Sequence, residues 1–224
     1  MSTVVAIDGP SASGKSTTAR LVARHLGFLH LDTGAMYRAV TLACHKQALP
    51  ADPSPQMSAL LDELDIRFER DAAGNQRVLL NGADVSQLIR TPEINRAVSR
   101  YSALPVVRER LVRFQRQMAA ENDVVCEGRD IGTRVFPEAA YKFFIVADIE
   151  IRARRRQQEL LAKGYEADLA LLETELQRRD AEDSAREHSP LVQADDAIVI
   201  DTSGLTIEEQ VATVIAHIEA QTKP

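Results

Sequence analysis

The chain has 224 residues, a hydrophobic fraction of 45% and a formal net charge of −6 at pH 7. That length suits a single α/β domain over 1–224, with insertions and a sizeable core, and no apolar run approaches the roughly 18 residues that span a membrane. The acidic balance argues against a general polyanion-binding surface, so neither nucleic acid nor membrane is expected as a partner. Two cysteines, Cys44 and Cys126, stand far apart without a C-x-x-C or a histidine at metal spacing. They read as small buried hydrophobes in a reducing compartment. The first strand begins almost at the N-terminus, leaving no room for a leader, and a cytoplasmic location is the expectation.

In chain order, Val4-Val5-Ala6-Ile7 reads as a buried strand. It runs into Gly9-Pro10-Ser11-Ala12-Ser13-Gly14-Lys15-Ser16, which fits the phosphate-cradling pattern G-x-x-x-x-G-K-[ST] without a mismatch. From Thr17 to Leu26 the apolar residues Ala19, Val22, Ala23 and Leu26 recur at helical spacing. Strand, glycine-rich turn and helix is the context this motif requires. In it, the backbone N–H groups of Ser11 to Lys15 face phosphate oxygens at the positive end of a helix. Lys15 then reaches the β- and γ-phosphates, and the Ser16 hydroxyl ligates Mg²⁺. A bound nucleoside triphosphate follows, held by Gly9 through Thr17.

Phe28 to Asp32 reads as a second strand ending at Thr33-Gly34, with a helix over Ala35 to Lys46. Leu49 to Pro55 holds three prolines and marks a loop. Ile66 to Arg70 and Gln76 to Leu80 alternate like half-exposed antiparallel strands around an Asp71–Asn75 turn, and Asn81-Gly82 offers a second tight turn before Ala83-Asp84-Val85. This small β-meander interrupts the α/β rhythm, so residues of roughly 50 to 90 read as an insertion on the core. Thr91-Pro92-Glu93 resembles a helix start, and helix continues to about Met118 with a break at Pro105.

Asp123 to Glu127 is another buried strand, delivering Gly128-Arg129-Asp130 at its carboxyl end, where open α/β sheets place their ligands. Tyr141 to Ala147 and Ala197 to Asp201 complete the strands. Between them runs a charged helix with Arg152, Arg154, Arg155 and Arg156, a break at Lys163-Gly164-Tyr165, and a helix carrying Arg178, Arg179, Asp183 and Arg186. Leu205 to Ala220 closes the chain as an amphipathic helix. Alternating strands and helices predict a parallel sheet.

Phosphoryl transfer depends on alignment and charge neutralisation more than on covalent chemistry. Arg38, Arg108 and Arg129 fall in three separate segments near predicted strand ends or helices, and guanidinium forks bind phosphate bidentately. Arg154, Arg155, Arg178 and Arg179 are available to close over a triphosphate. A solvated surface charge is the competing reading for any single helical arginine; Arg129, in Gly-Arg-Asp at a strand end, fits it least.

Asp8 to Ser16, Leu31-Asp32-Thr33-Gly34-Ala35-Met36-Tyr37-Arg38, Glu127 to Thr133 and Arg179-Asp180-Ala181-Glu182-Asp183-Ser184-Ala185-Arg186 together resemble the bacterial cytidylate kinases. The resemblance runs nearly end to end, including the β insertion. It implies a P-loop core with a nucleoside-monophosphate-binding insertion at about 37–100 and a helical lid at about 152–168. It also implies Mg²⁺-dependent transfer of the ATP γ-phosphoryl group to CMP or dCMP. By resemblance Thr33, Arg38, Ser99, Arg108, Arg129, Asp130, Asp183 and Arg186 contact the acceptor, and Lys15, Arg129 and Arg179 are catalytic. Ser99, Arg108 and Asp130 supply the donors and acceptors that a cytosine edge needs. Position 33 is Thr where serine is frequent in the family, which keeps the hydroxyl and adds a methyl. Two rivals remain: a shikimate- or dephospho-coenzyme-A-type kinase, which lacks the insertion, and a non-catalytic ATP sensor, which needs no second set of arginines. With no heptad seam in the sequence, a monomer is expected.

Overall fold

The five apolar runs read as core strands form strands, and the amphipathic segments between them form helices. The computed structural model describes residues 2–71 and 76–222, and the chain divides into two compact units, Met1–Asp32 with Arg116–Pro224, and Thr33–Gln115.

The first unit contains strands β1 (Val4–Asp8), β2 (Leu29–Asp32), β6 (Val124–Gly128), β7 (Tyr141–Val146) and β8 (Ile198–Asp201). They form one sheet in the order β2-β6-β1-β7-β8, and every pairing is parallel. β1 and β6 are buried nearly throughout, as parallel strands covered on both faces must be. Helices α1 (Lys15–Leu26) and α8 (Ile207–Thr222) cover one side. There Val5, Ile7, Val22, Val125, Ile145 and Val214 share a core. Helices α6 (Ile149–Leu161) and α7 (Leu169–Ser184) form a hairpin with its own small core of Ala153, Leu160, Leu172 and Leu176. The register aligns the carboxyl ends: Asp8 pairs with Gly128, and Asp32 with Glu127. The loops that begin at Gly9 and Arg129 thus leave the sheet side by side.

The second unit holds α2 (Thr33–Lys46), α3 (Pro55–Glu63), α4 (Pro92–Ser102) and most of α5 (Pro105–Glu121). A three-stranded antiparallel sheet joins them: β3 (Ile66–Arg70), β4 (Gln76–Leu80) and β5 (Ala83–Asp84). The pairing Ile66 with Leu80 through Arg70 with Gln76 is the hairpin expected from alternation; residues 72–75 of its turn lie outside the described residues. The break at Pro105 separates α4 from α5 as predicted.

Four local readings are corrected. The proline-rich run is a loop through Ser54, as expected, but an unanticipated helix follows it: Ser54 caps α3 by accepting a hydrogen bond from the Met57 N–H at 3.1 Å, with Pro55 in the first turn. The stretch from 50 to 90 is therefore helix plus meander. Thr33 and Gly34 belong to the first turn of α2 rather than to a strand end. The helix after the P-loop starts at Lys15, and α7 ends at Ser184, which leaves Arg186 just beyond it.

Candidate active site

The P-loop owes its shape to backbone that few residues tolerate. Gly9 has φ 151°, and a Cβ there would lie 2.1 Å from the Ile145 carbonyl oxygen. Gly14, φ 93°, turns the chain into α1, and Ala12 sits at φ 60°, also left-handed. Strain of this kind persists only where the surroundings fix it. Three side chains do so. Thr202 Oγ1 lies 2.9 Å from the Ser13 carbonyl oxygen, Arg155 Nη1 donates to that carbonyl at 3.4 Å, and Arg155 Nη2 donates to the Thr202 carbonyl at 2.7 Å. Arg152 Nη1 donates to the Ser11 carbonyl at 3.2 Å and is paired with Asp180 at 2.6 Å.

Lys15 Nζ donates to the Pro10 carbonyl at 2.9 Å. Burial, with Arg129 and Arg179 as further cations, pulls its pKa from 10.5 down to about 7. Arg179 Nη1 reaches Ser11 Oγ at 3.3 Å. Arg129 Nε donates to Asp183 Oδ2 at 2.9 Å, and Arg186 Nη2 donates to Asp183 Oδ1. Burial works against the charged form of Asp183, but Arg129, Arg186 and Arg179 outweigh it and hold the carboxyl below its ordinary range. The first unit thus brings Lys15, Arg129, Arg179, Asp183 and Arg186 into one field of charge. Arg154 and Arg178 are placed elsewhere, on exposed surfaces paired with Glu150 and Glu182.

Beneath the P-loop, Ser16 Oγ donates to Glu127 Oε2, and Glu127 Oε1 is 3.0 Å from His30 Nε2. Asp8 accepts the backbone N–H groups of Ile131 and Gly132 at 2.9 and 2.8 Å. This fixes the π-helical turn Ile131–Val135 that follows Asp130, itself buried. Burial lifts the Asp8 carboxyl to about 6 against those two hydrogen bonds.

Thr33, Arg38, Ser99 and Arg108 lie in the second unit. Thr33, Ser99 and Arg108 are buried. Arg108 stacks its guanidinium over the Tyr37 ring, 5.4 Å from the centroid, and its Nη1 donates to the Ser102 carbonyl at 3.3 Å. Arg38 extends from α2, one residue after Tyr37.

Sequence reasoning did not single out Glu127, His30, Arg152 or Thr202 for these roles. Glu127 was visible as a carboxylate ending a buried strand. Thr202 carried no signal, since its role arises from a contact to Ser13 across 189 residues.

The cytidylate kinase family model matches residues 5–220. The chain belongs to the cytidylate kinase family. A cytidylate kinase of Syntrophotalea carbinolica is 50% identical over 92% of this chain and 87% of its own length. Another, of Geobacter sulfurreducens, is 51% identical over 92% of this chain and 88% of its own. The crystal structure of an uncharacterized protein from Eubacterium ventriosum is similar with a TM-score of 0.53 at 14% identity, covering 98% of this chain and 99% of that one, and shares the fold. The cytidylate kinase resemblance read from the motifs is therefore the family of the whole chain, and the parallel P-loop core with its small antiparallel sheet is the expected fold.

Proposed function

We propose that this chain is a phosphotransferase that moves the γ-phosphoryl group of ATP onto CMP and dCMP, giving CDP and dCDP by direct in-line transfer. The observation that carries the reading is the convergence of Arg129 and Arg179 on Lys15, three cations in one field, on the scaffold of the cytidylate kinase family. Such a field is what the equatorial oxygens of a moving phosphoryl group need.

In this reading the backbone of Gly9 to Thr17 holds the donor phosphates, and Lys15 swings from the Pro10 carbonyl to the β- and γ-oxygens. Arg129 and Arg179 neutralise charge in flight. The attacking atom is an oxygen of the acceptor phosphate, already anionic, so no general base is required; the β–γ bridging bond breaks and its electrons stay on ADP. Arg129, Asp130, Asp183 and Arg186 serve the acceptor, as do Thr33, Arg38, Ser99 and Arg108 of the second unit. Arg108, fixed over Tyr37, is shaped to read a planar base edge, and Asp183, oriented by two arginines, to accept ribose hydroxyls.

The donor set under the P-loop suits Mg²⁺, a hard ion that takes one or two protein oxygens and fills its shell with phosphate and water. Ser16 Oγ would meet it, with the Glu127 carboxylate holding that hydroxyl. When bound, it would supply charge neutralisation on the donor phosphates. Residues of about 37–100 act as the monophosphate-binding insertion and those of about 152–168 as the lid. Hydrogen exchange over the lid should slow when ATP and CMP are both added, and unchanged exchange would count against closure. Among the described residues no helix is long and apolar enough to cross a membrane. The free, buried Cys44 and Cys126 fit a reducing compartment, and we place the protein in the cytoplasm as a monomer, which sedimentation would test.

A coupled assay with ATP, Mg²⁺ and CMP, dCMP, UMP, AMP or shikimate tests the whole reading. CMP and dCMP should dominate. Preference for AMP or shikimate would replace the acceptor, and ATP binding without transfer to any of them would leave a sensor.

A further inference from the structure

We infer that His30 is a positioning residue for metal-nucleotide binding, acting through Glu127 on the Ser16 hydroxyl. The inference rests on the reading of Ser16 as the Mg²⁺ contact.

Strand register creates the arrangement. β2 and β6 are parallel neighbours in which His30 pairs with Val125 and Asp32 with Glu127. Residues two apart share a face of a strand, so His30 and Glu127 project from the same side of the sheet on a diagonal. Val125 on that face belongs to the core beneath α1, the helix that carries Ser16. The Glu127 side chain is only 3% exposed, and that of His30 10%. A carboxylate so deeply buried depends on partners within the fold. Oε1 meets the His30 ring nitrogen at 3.0 Å, and Oε2 accepts from Ser16 Oγ.

The consequence is directional. A carboxylate accepts, so the imidazole must present Nε2–H to it. Held at Oε1, Glu127 cannot swing away, and Oε2 stays where the Ser16 proton points at it. With its single proton committed inward, the Ser16 oxygen turns its lone pairs outward, toward the phosphate side of the P-loop. A hydroxyl free to rotate would present its proton to an incoming cation for part of the time. His30 thereby keeps the oxygen in the acceptor orientation that a divalent cation requires. Histidine is not needed for filling here: β2 alternates with Leu29 and Leu31, and an apolar side chain would bury on that strand without the desolvation cost of a ring N–H.

The test compares ADP affinity with and without divalent cation, measured calorimetrically on the full chain, together with Mn²⁺ binding to the ADP complex by electron paramagnetic resonance. His30→Leu removes the donor, and His30→Phe does so while keeping an aromatic ring, should the first variant fold poorly. His30→Gln keeps an N–H on a flexible arm. The donor-less variants should bind metal-free ADP as the wild type does and lose about tenfold in Mn²⁺ affinity, the usual scale for losing a group that orients a metal contact. The Mg²⁺ concentration for half-maximal turnover should rise in step, with KM for CMP unchanged. His30→Gln should recover most of the loss. Wild-type Mn²⁺ affinity in the donor-less variants, an equal loss with and without metal, or no recovery with Gln would each overturn the inference. Should the wild type turn over no CMP, the acceptor reading fails, while the ADP and Mn²⁺ measurements still judge His30.

Discussion

Arg129 Nε lies 2.9 Å from Asp183 Oδ2, a pairing that closes 54 residues of sequence and ties the end of β6 to the end of α7. Arg186 takes the other oxygen of the same carboxylate. The pair is buried, at 16% and 2% side-chain exposure, so removing either partner leaves a charge that the interior cannot easily hold.

Arg129→Ala should therefore lower kcat/KM for CMP by about 10²–10³-fold, the scale of one lost preorganised cation plus a disrupted acceptor site. ATP affinity should stay within about twofold, because the phosphate cradle is backbone and Lys15. Steady-state kinetics beside calorimetric ATP titration separates the two; matched losses would remove Arg129 from the acceptor side.

Lys15, depressed to about 7 in the free protein, is largely neutral at pH 8. Triphosphate charge favours the ammonium form, so ATP binding near pH 8 should take up a proton. Calorimetry in buffers of different ionisation enthalpy reads this directly. Lys15→Ala should abolish the uptake and lower kcat by about 10²–10³-fold. Without nucleotide, the unfolded chain binds the extra proton between about pH 7 and 10.5, so this residue makes the free protein more stable as pH rises through that window.

Asp8 has the opposite sign. Its carboxyl is raised from 3.8 to about 6, so the native state holds a proton that the unfolded chain has released. The stability this provides is complete below about pH 3.8 and is lost as pH rises through about 6. Asp8→Asn should flatten that segment of the stability profile in urea denaturation, and it should also free one of the two N–H groups at Ile131 and Gly132.

Thr202→Val keeps volume and removes the hydroxyl that meets the Ser13 carbonyl. The cost should be about 0.5–1.5 kcal/mol, that of one hydrogen bond, since Arg155 still donates to the Ser13 carbonyl; urea midpoints at constant slope read it. KM for ATP should rise, since Ser13 lies within the phosphate loop.

The strand–turn–helix around the P-loop was legible because its signals are local: a β-branched run, required glycines and helical spacing meet within two dozen residues. The Gly128-Arg129-Asp130 strand end was legible for the same reason. α3 was obscured because prolines at 50, 53 and 55 signal a loop, although Ser54 before Pro55 is also a cap sequence. Within Arg152 to Arg156 no local rule tells which guanidinium turns toward the loop. Helix phase decides it, sending Arg155 to Ser13 and Arg154 to solvent beside Glu150. The pairing of His30 with Glu127 spans 97 residues and depends on the register of two strands, which composition cannot supply.

The central place of β1 also bears on how the loop after it is completed. The two neighbours of Val4–Asp8 in the sheet, β6 and β7, begin only at Val124 and Tyr141. The threonine that steadies Ser13 comes later still, at position 202. The phosphate loop is thus assembled from parts that lie nearly two hundred residues apart in sequence, so its shape is a property of the folded unit rather than of the motif.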